Sequence, residues 1–334
     1  MILQKVLGGD FSILESIFDE ERPTNSYGIY GGQKMTVLFK PLLGLISGQN
    51  KFLPLAKMGG MTIELELCDD PLDPIVAPSS ASLDPTVFTV ANTSSWHIEN
   101  VQVKTDLIQL DNSLENVYNG HLLSGNSYPL NYSTFITQTQ NVIGGTNAGV
   151  VYGQQKINLS VSRAITRLKS VFVTFDKVTP QEANFRARKP WNDFYSPMND
   201  YAIGDDKNNP RFQESGEFSF QLQIGAKKMP QSEIRSHQEA FYQLKKCLGI
   251  QSSPVHSLDI NKMEYTTHKF ILGIDCEKNL GSAWTGISTR AGDLMTIKFE
   301  HNSTVPEDWA SQVYITLQSD NVLEIRDSGI SVYD

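Results

Sequence analysis

Apolar and polar residues alternate through most of the last fifty positions of the chain. In Met295–Phe299 and Val313–Leu317 every second side chain is apolar, which is the period of a β-strand that buries one face. Asp320–Ile325 and Gly329–Asp334 carry related patterns up to the last residue. Because loose tails do not show this period, the pattern predicts that the end of the chain belongs to a sheet.

Strand patterns of the same kind recur earlier in the chain. They predict strands at Met35–Lys40, Met61–Leu67, Val87–Val90, Ile98–Leu110, Phe135–Val142, Ile157–Val161, Val171–Phe175 and Phe218–Ile224. Such a density of short strands, with few helical patterns between them, predicts an all-β fold with few short helices.

Helical periodicity is confined to a few short segments. Residues 11–20 follow Asp10 and place their apolar residues on one face, which predicts a short helix in an N-terminal arm. This arm either packs on its own domain or clasps a neighbouring subunit. A second helix or turn is predicted near Ser113–Tyr118.

The clearest helical pattern lies at residues 236–248. Ser236 and Glu239 have the spacing of a capping box, and Gly249 stands where the end of a helix favours glycine. The apolar stripe that we expect to be buried consists of Phe241, Leu244 and Leu248.

Two irregular segments divide the chain. The loop Asp69–Ser82 contains prolines at 71, 74 and 78 and is the best candidate for a domain boundary. Residues 177–213 are polar, with Pro and Asn throughout. A stretch of this length predicts a long surface excursion, such as a tower or an interface.

Composition limits the classes of function. The 334 residues suffice for roughly two domains; 40% are hydrophobic and only 19% charged, against about 25% charged in average soluble proteins. The net charge of −9 argues against a broad nucleic-acid-binding face, which needs clustered Lys and Arg. The one basic cluster, Arg186, Arg188 and Lys189, is interpreted as a solvated loop.

The cysteines and the first residues bear on the compartment. Cys68, Cys247 and Cys276 are odd in number and have no CxxC spacing, so we expect neither zinc nor disulfides, and a reducing compartment of synthesis. Residues 1–22 show no secretion signal, and no apolar run approaches the ~20 residues of a membrane span. The four glycosylation triplets are therefore interpreted as unused; they begin at Asn92, Asn131, Asn158 and Asn302.

No catalytic motif is present in the sequence. The glycine-rich run at 144–149 lacks the lysine of a phosphate-binding loop. The adjacent carboxylates Asp69 with Asp70, and Asp205 with Asp206, offer too few oxygen ligands for a strong Ca²⁺ site.

The six histidines are scattered without the spacing of a metal site, and His237 is interpreted as a surface group. We therefore predict no catalytic, cofactor-binding or metal-binding residues, and a protein that is not an enzyme.

Taken in order, several segments resemble the double jelly-roll major capsid proteins of double-stranded DNA viruses. These include the nucleocytoplasmic large DNA viruses, virophages and Polinton or adintovirus-type elements. Phe39–Leu45, Lys51–Leu55 and Met61–Leu67 resemble a segment late in the first jelly roll of that family. Val101–Asp111 resembles the early strand and "LD" turn of the second jelly roll.

Later segments of the chain also resemble parts of the second jelly roll of this family. Ile157–Phe175 is similar to its "VKEL" strand, and Gln223–Lys227 with the helix Arg235–Leu248 is similar to the strand and helix before its last strands. Asn321–Ile325, followed by Gly329, resembles the C-terminal strand.

The resemblance implies a jelly-roll β-sandwich in a double jelly-roll arrangement. Residues 1–25 would form the arm with its short helix, 26–85 the late strands of a first jelly roll, and 86–334 a second jelly roll with the excursion at 177–213. Family members usually carry further strands before Phe39, so we expect the first barrel to be abbreviated or incomplete.

The resemblance also implies a function. The chain would be a structural major capsid protein whose pseudo-hexameric homotrimers tile an icosahedral virion shell. Its partners would be copies of itself, neighbouring capsomers and minor capsid or penton proteins, with possible contact to an internal membrane and no sequence-specific nucleic acid. It would be located in the virion and made in the host cytoplasm.

Two other classes of jelly-roll protein remain open. A lectin-like carbohydrate-binding module would show an aromatic platform, for which the candidates are Trp96, Trp191, Trp284 and Trp309. A cupin-type enzyme would need a set of His and Glu metal ligands on neighbouring strands, and the sequence shows no such set.

Overall fold

Strands account for most of the regular secondary structure among the described residues. The computed structural model describes residues 34, 43–46, 51–66, 77–78, 88–89, 97–142, 154–176, 196, 218–250, 258, 260, 265–266, 269–277, 286–290, 294–302 and 312–333. The strands are β1 (Ala77–Pro78), β2 (Phe88–Thr89), β3 (Tyr128–Asn141), β4 (Gln154–Val161), β5 (Leu168–Asp176), β6 (Phe218–Ile224), β7 (Lys227–Ile234), β8 (Leu272–Asp275), β9 (Met295–Asn302), β10 (Gln312–Arg326) and β11 (Gly329–Tyr333). The helices are a 3₁₀ turn at Leu55–Lys57, α1 (Asn112–Leu123) and α2 (His237–Cys247).

The strand order is that of a jelly roll. β1 and β2 form a two-stranded antiparallel pair, and the other strands form two larger sheets. One of these has the order β11-β10-β5-β8, with β3 also paired to β10, and the other has the order β4-β9-β6-β7. The eight strands from β3 to β10 thus form two four-stranded sheets. One has the order β3-β10-β5-β8 and the other has the order β4-β9-β6-β7. This is the eight-stranded double Greek key of a jelly roll, and it confirms the predicted fold class.

Strand alternation places the core between the two sheets. In β5, Val171 and Val173 pair with Leu317 and Ile315 of β10. All four are at most 1% exposed. The facing sheet contributes further buried aromatics, and Phe175 and Phe299 meet across the sandwich with ring centroids 4.8 Å apart.

The outer faces of the two sheets differ. On the four-stranded sheet, Asn158 lies opposite Lys298, and both are exposed. On the other sheet, α2 packs against β8. A Cβ added at Gly273 of β8 would lie 3.2 Å from Leu244 of the helix, so the absence of a side chain there permits the close approach.

Two predicted strands are one strand in the structure. The runs 313–317 and 320–325 belong to the single strand β10. Its pairing with β5 shifts register between Gln318 and Ser319, which pair with Ser170 and Leu168. Lys169 is thus the extra residue of a β-bulge on β5, and bulges interrupt the pairing of a strand without ending it.

Two other strand predictions are wrong. Residues 61–66 and 98–110 are described, but neither stretch forms a strand. Both alternate in sequence, and both are exposed throughout. A strand requires a neighbour for its backbone hydrogen bonds, and neither stretch has a paired neighbour among the described residues.

The sequence patterns missed three strands and the length of others. The two-residue strand β1 lies within the predicted loop at 69–82. β7 contains Pro230 and β8 is only four residues long, so neither shows a clear alternation. Proline is tolerated in β7 because this strand lies at the edge of its sheet. β3 begins seven residues before the predicted start at Phe135, and α1 is longer than the predicted turn.

The helix α2 has the predicted ends. The Ser236 hydroxyl accepts a hydrogen bond from the Glu239 N–H at 3.1 Å, and the Glu239 carboxylate accepts from the Arg235 N–H at 3.2 Å. At the other end, Gly249 has a φ of +67°. Its N–H donates to the Lys246 carbonyl, which closes the helix as the glycine pattern predicts.

The buried face of α2 differs from the predicted stripe. Ala240 and Leu244 are fully buried, whereas Phe241 and Leu248 are only partly buried. His237 is not the surface group that the sequence indicated, because its ring packs edge-on against Phe218 and Phe270.

Other predictions lie outside the described residues. These are the arm helix at 11–20, the strand Met35–Lys40, the basic cluster at 186–189, the four tryptophans and almost all of the excursion at 177–213. The domain boundaries and the incomplete first barrel stay predictions.

Candidate assembly surface

The chain divides into two compact units. The first comprises residues 1–132, 181–192 and 322–333, and the second comprises 133–180, 193–321 and 334. In the described part of the first unit, a small cluster of Met58, Leu130, Leu323 and Ile325 is buried. The partly buried side chains packed against it are Leu45, Leu53, Tyr128 and Tyr132.

Most other apolar side chains in the described part of the first unit are exposed. Val101 and Val103 are each 68% exposed, and Leu107 is 81% exposed. They belong to the stretch 97–111, which forms no regular structure. The alternation that predicted a strand here therefore leaves its apolar side chains in solvent.

The helix α1 continues this exposed surface. Leu122 is its only buried residue, while Leu114, Val117 and Leu123 are exposed. Its C-terminal end is anchored on Tyr128, whose ring stacks on His121 at 4.9 Å and whose hydroxyl donates to the Tyr118 carbonyl at 3.0 Å. The helix is thus fixed along one edge and leaves its apolar residues uncovered.

The last strand is exposed as well. All five residues of β11 are exposed, including Ile330, Val332 and Tyr333. β11 lies at the end of its sheet's strand order, and a strand at a sheet edge offers unpaired backbone groups to another chain.

The exposed apolar surface is large enough for its burial to offset the cost of association with a partner. We define the apolar surface as Ile98, Val101, Val103, Leu107, Ile108, Leu110, Leu114, Val117 and Leu123, which are between 41% and 81% exposed. Because these nine side chains are on average about 60% exposed, covering all of them would contribute on the order of 8–17 kcal/mol, at about 1.5–3 kcal/mol for a side chain that goes from fully exposed to fully buried. Association costs about 4–15 kcal/mol, so a partner that covered this surface could offset that cost.

A charged cluster joins strands of the second unit. The Lys169 ammonium lies 3.0 Å from the Glu277 carboxylate and 3.4 Å from that of Asp320, and the Ser133 hydroxyl donates to Asp320 at 2.6 Å. Partial burial lowers the pKa of Lys169, but the hydrogen bond and charge of Glu277, with those of Asp320, outweigh it, so the pKa lies above its ordinary value. The cluster ties the bulge of β5 to β3, to β10 and to the end of β8.

The two described cysteines are held in the thiol form, and the described part of the chain has no metal-binding cluster. Burial raises the pKa of the Cys247 and Cys276 thiols, so both are held in the protonated, less nucleophilic form. Among the described residues, no group of three or more His, Cys, Asp or Glu side chains could hold a metal ion. Cys68 and the Asp pairs at 69–70 and 205–206 lie outside these residues.

None of the helices in the described part of the chain is both long enough and apolar enough to cross a bilayer.

Sequence comparisons give no assignment. No protein-family model matches the chain, and no curated protein matches it.

Solved structures of similar shape come from virus particles. The crystal structure of PBCV-1 VP54, fitted into a cryo-EM reconstruction of the virophage Sputnik, matches with a TM-score of 0.40 and 10% identity, over 67% of this chain and 54% of that chain. A quasi-atomic model of the PBCV-1 virus capsid matches with a TM-score of 0.38 and 10% identity, over 66% and 54%. The Sputnik virophage at 3.5 Å resolution matches with a TM-score of 0.33 and 13% identity, over 62% and 38%. This chain spans about half the length, or less, of the chains it matches, and its jelly-roll assignment rests on its own strand order.

Proposed function

We propose that the chain is a structural, non-enzymatic subunit of a virus capsid. Its copies would assemble as homotrimers of pseudo-hexagonal outline that tile an icosahedral shell, as the sequence resemblance to major capsid proteins implies. The protein would be made in the host cytoplasm and would be located in the virion. Its partners would be copies of itself and minor capsid or penton proteins, with possible contact to an internal membrane.

The observation that carries this proposal is the apolar surface of the first unit. Jelly rolls serve as capsid proteins, lectins and cupins, so the fold alone does not select among them. Monomeric soluble proteins rarely expose more than a few hundred Å² of contiguous apolar surface. A protein with nine exposed aliphatic side chains between Ile98 and Leu123 is better explained as a subunit whose surface is covered on assembly.

Size and particle shape provide the test. The full chain is analysed by light scattering after size exclusion and by negative-stain electron microscopy. We expect a discrete trimer, or sheets and shells built from it. A monomer that persists at high concentration contradicts the proposal, as do aggregates without a regular particle, and a monomer that elutes with a bound sugar supports the lectin-like alternative.

A matched pair of variants locates the interface. Leu107→Asp places a charge on the apolar surface at a side chain that is 81% exposed, and should abolish the trimer without unfolding the monomer. Asn158→Asp adds the same charge at an exposed position of β4 and should leave the trimer intact. Equal effects of the two substitutions would contradict this placement of the interface.

A further inference from the structure

An open cavity in the second unit is bordered by β3, β10 and the segment that follows β4. It has a volume of about 320 Å³ and is lined by Ile136, Ser162, Arg163, Ala164, Ile165, Ser319 and Asn321. Ser319 and Asn321 alternate on β10 with the same parity as the core residues Val313 and Leu317, so they continue the inner face of the sheet. The inner face of β10 thus changes from apolar to polar where it borders the cavity, and the exposed residues 162–164 leave the cavity open to solvent.

The opposite wall of the cavity is held in place by a buried side-chain hydroxyl. The segment that follows β4 is fixed by Thr289, whose hydroxyl accepts from the Ile165 N–H at 2.9 Å and donates to the Arg163 carbonyl at 2.7 Å. The backbone at Arg163 is fixed by these hydrogen bonds, and its side chain is exposed.

The charge in the cavity is positive. Arg163 is the only charged residue of the lining, and no ion pair to it is found among the described residues. Asp320 lies between two lining residues of β10, but alternation directs its side chain to the other face. There its carboxylate is bound by Ser133 and Lys169, so it does not neutralise Arg163.

The polar groups of the lining are suited to a hydroxylated ligand. Two serine hydroxyls, one amide and one guanidinium line the cavity. The hydroxyls of Ser319 and Thr134 are hydrogen-bonded at 3.0 Å, and the Ser319 hydroxyl donates to the side-chain amide oxygen of Asn321 at 3.4 Å. These bonds hold the polar groups in place. The volume is at the lower end of the range for small-molecule sites, about 300–1,000 Å³.

We propose that this cavity binds a monosaccharide-sized molecule that carries one anionic group and several hydroxyls. The guanidinium of Arg163 would bind the carboxylate or phosphate through paired hydrogen bonds. Ser162, Ser319 and Asn321 would bind the hydroxyls. This site is distinct from the apolar surface of the first unit, and the proposal does not depend on a capsid function.

The test is a binding titration of the full chain, with binding measured by NMR or by calorimetry. The probes are N-acetylneuraminic acid, glucose 6-phosphate and neutral glucose, so that the carboxylate and phosphate sources of the charge are compared with an uncharged sugar. We expect one of the two anionic probes to bind at millimolar or lower concentration and glucose to bind at least about tenfold more weakly.

Two variants complete the test. Arg163→Gln should weaken binding of the anionic probe at least about tenfold, since hydrogen bonds to charged groups are worth about 1.5–3 kcal/mol. Lys298→Gln removes one positive charge from an exposed position of β9 and should leave binding unchanged. The proposal is overturned if no probe binds, if glucose binds as well as the charged sugars, or if both variants weaken binding equally.

Discussion

The same alternating pattern has opposite outcomes in the two units. In β6 of the second unit, Phe218, Phe220, Leu222 and Ile224 are all buried, and the strand is paired with β9 and β7 on either side. In 97–111 of the first unit, alternating aliphatic residues are exposed and form no strand. The comparison teaches that alternation marks a segment able to form a strand, whereas a paired neighbour decides whether the strand forms.

The largest expected effect compares a paired strand with the unpaired segment. Phe220→Ala removes a side chain that is 0% exposed and should lower the free energy of unfolding by about 3–5 kcal/mol. Leu107→Ala should change it by no more than about 0.5 kcal/mol. Urea titrations at concentrations too low for assembly measure both. Similar losses for the two variants would show that 97–111 is packed in the isolated chain.

The next effect concerns the face of α2 that packs on β8. Leu244→Ala should cost about 2–5 kcal/mol, since this side chain is fully buried. Phe241→Ala should cost less, because Phe241 is only partly buried and lies beside Tyr265 with ring centroids 4.9 Å apart. A larger loss of stability for Phe241→Ala than for Leu244→Ala would support the buried stripe that the sequence predicts.

The charged cluster predicts a smaller, pH-dependent effect. Lys169→Met leaves Glu277 and Asp320 without their shared cation and should cost on the order of 1–3 kcal/mol. The matched control Lys156→Met removes a lysine that is 59% exposed and lies 3.2 Å from Glu300, and should cost no more than about 1 kcal/mol.

The pH dependence follows from the raised pKa of Lys169. Its contribution is present in full below the ordinary lysine pKa of 10.5 and is lost as the pH rises through the higher folded-state pKa. Wild-type protein should therefore lose stability above about pH 10.5 more steeply than Lys169→Met, as measured by thermal melts. Identical slopes would mean that the cluster does not stabilise the folded state.

Much of the second unit could be predicted from sequence because its signals are local. Alternation located Phe218–Ile224, and the spacing of Ser236, Glu239 and Gly249 located the ends of α2. The strand β7 escaped detection because Pro230 interrupts its pattern, and β10 was divided because a bulge on its neighbour does not show in its own sequence.

The candidate sites could not be predicted, since they depend on pairing and convergence. The cavity brings Arg163 together with Ser319 and Asn321, more than 150 positions apart, and only strand order places them side by side. Likewise, the sequence predicted strands at 61–67 and 98–110 because it indicates which side chains can be buried, and not whether a neighbour is there to cover them.

Hydrogen exchange across residues 97–111 tests the central claim most directly. The claim is that this segment is exposed in the single chain and becomes covered when copies assemble. We expect its amides to exchange rapidly in dilute wild-type protein and in Leu107→Asp at any concentration, and to become protected in assembled wild-type particles, while β6 stays protected throughout. Rapid exchange of 97–111 in assembled particles, or protection already present in the dilute monomer, would contradict the account.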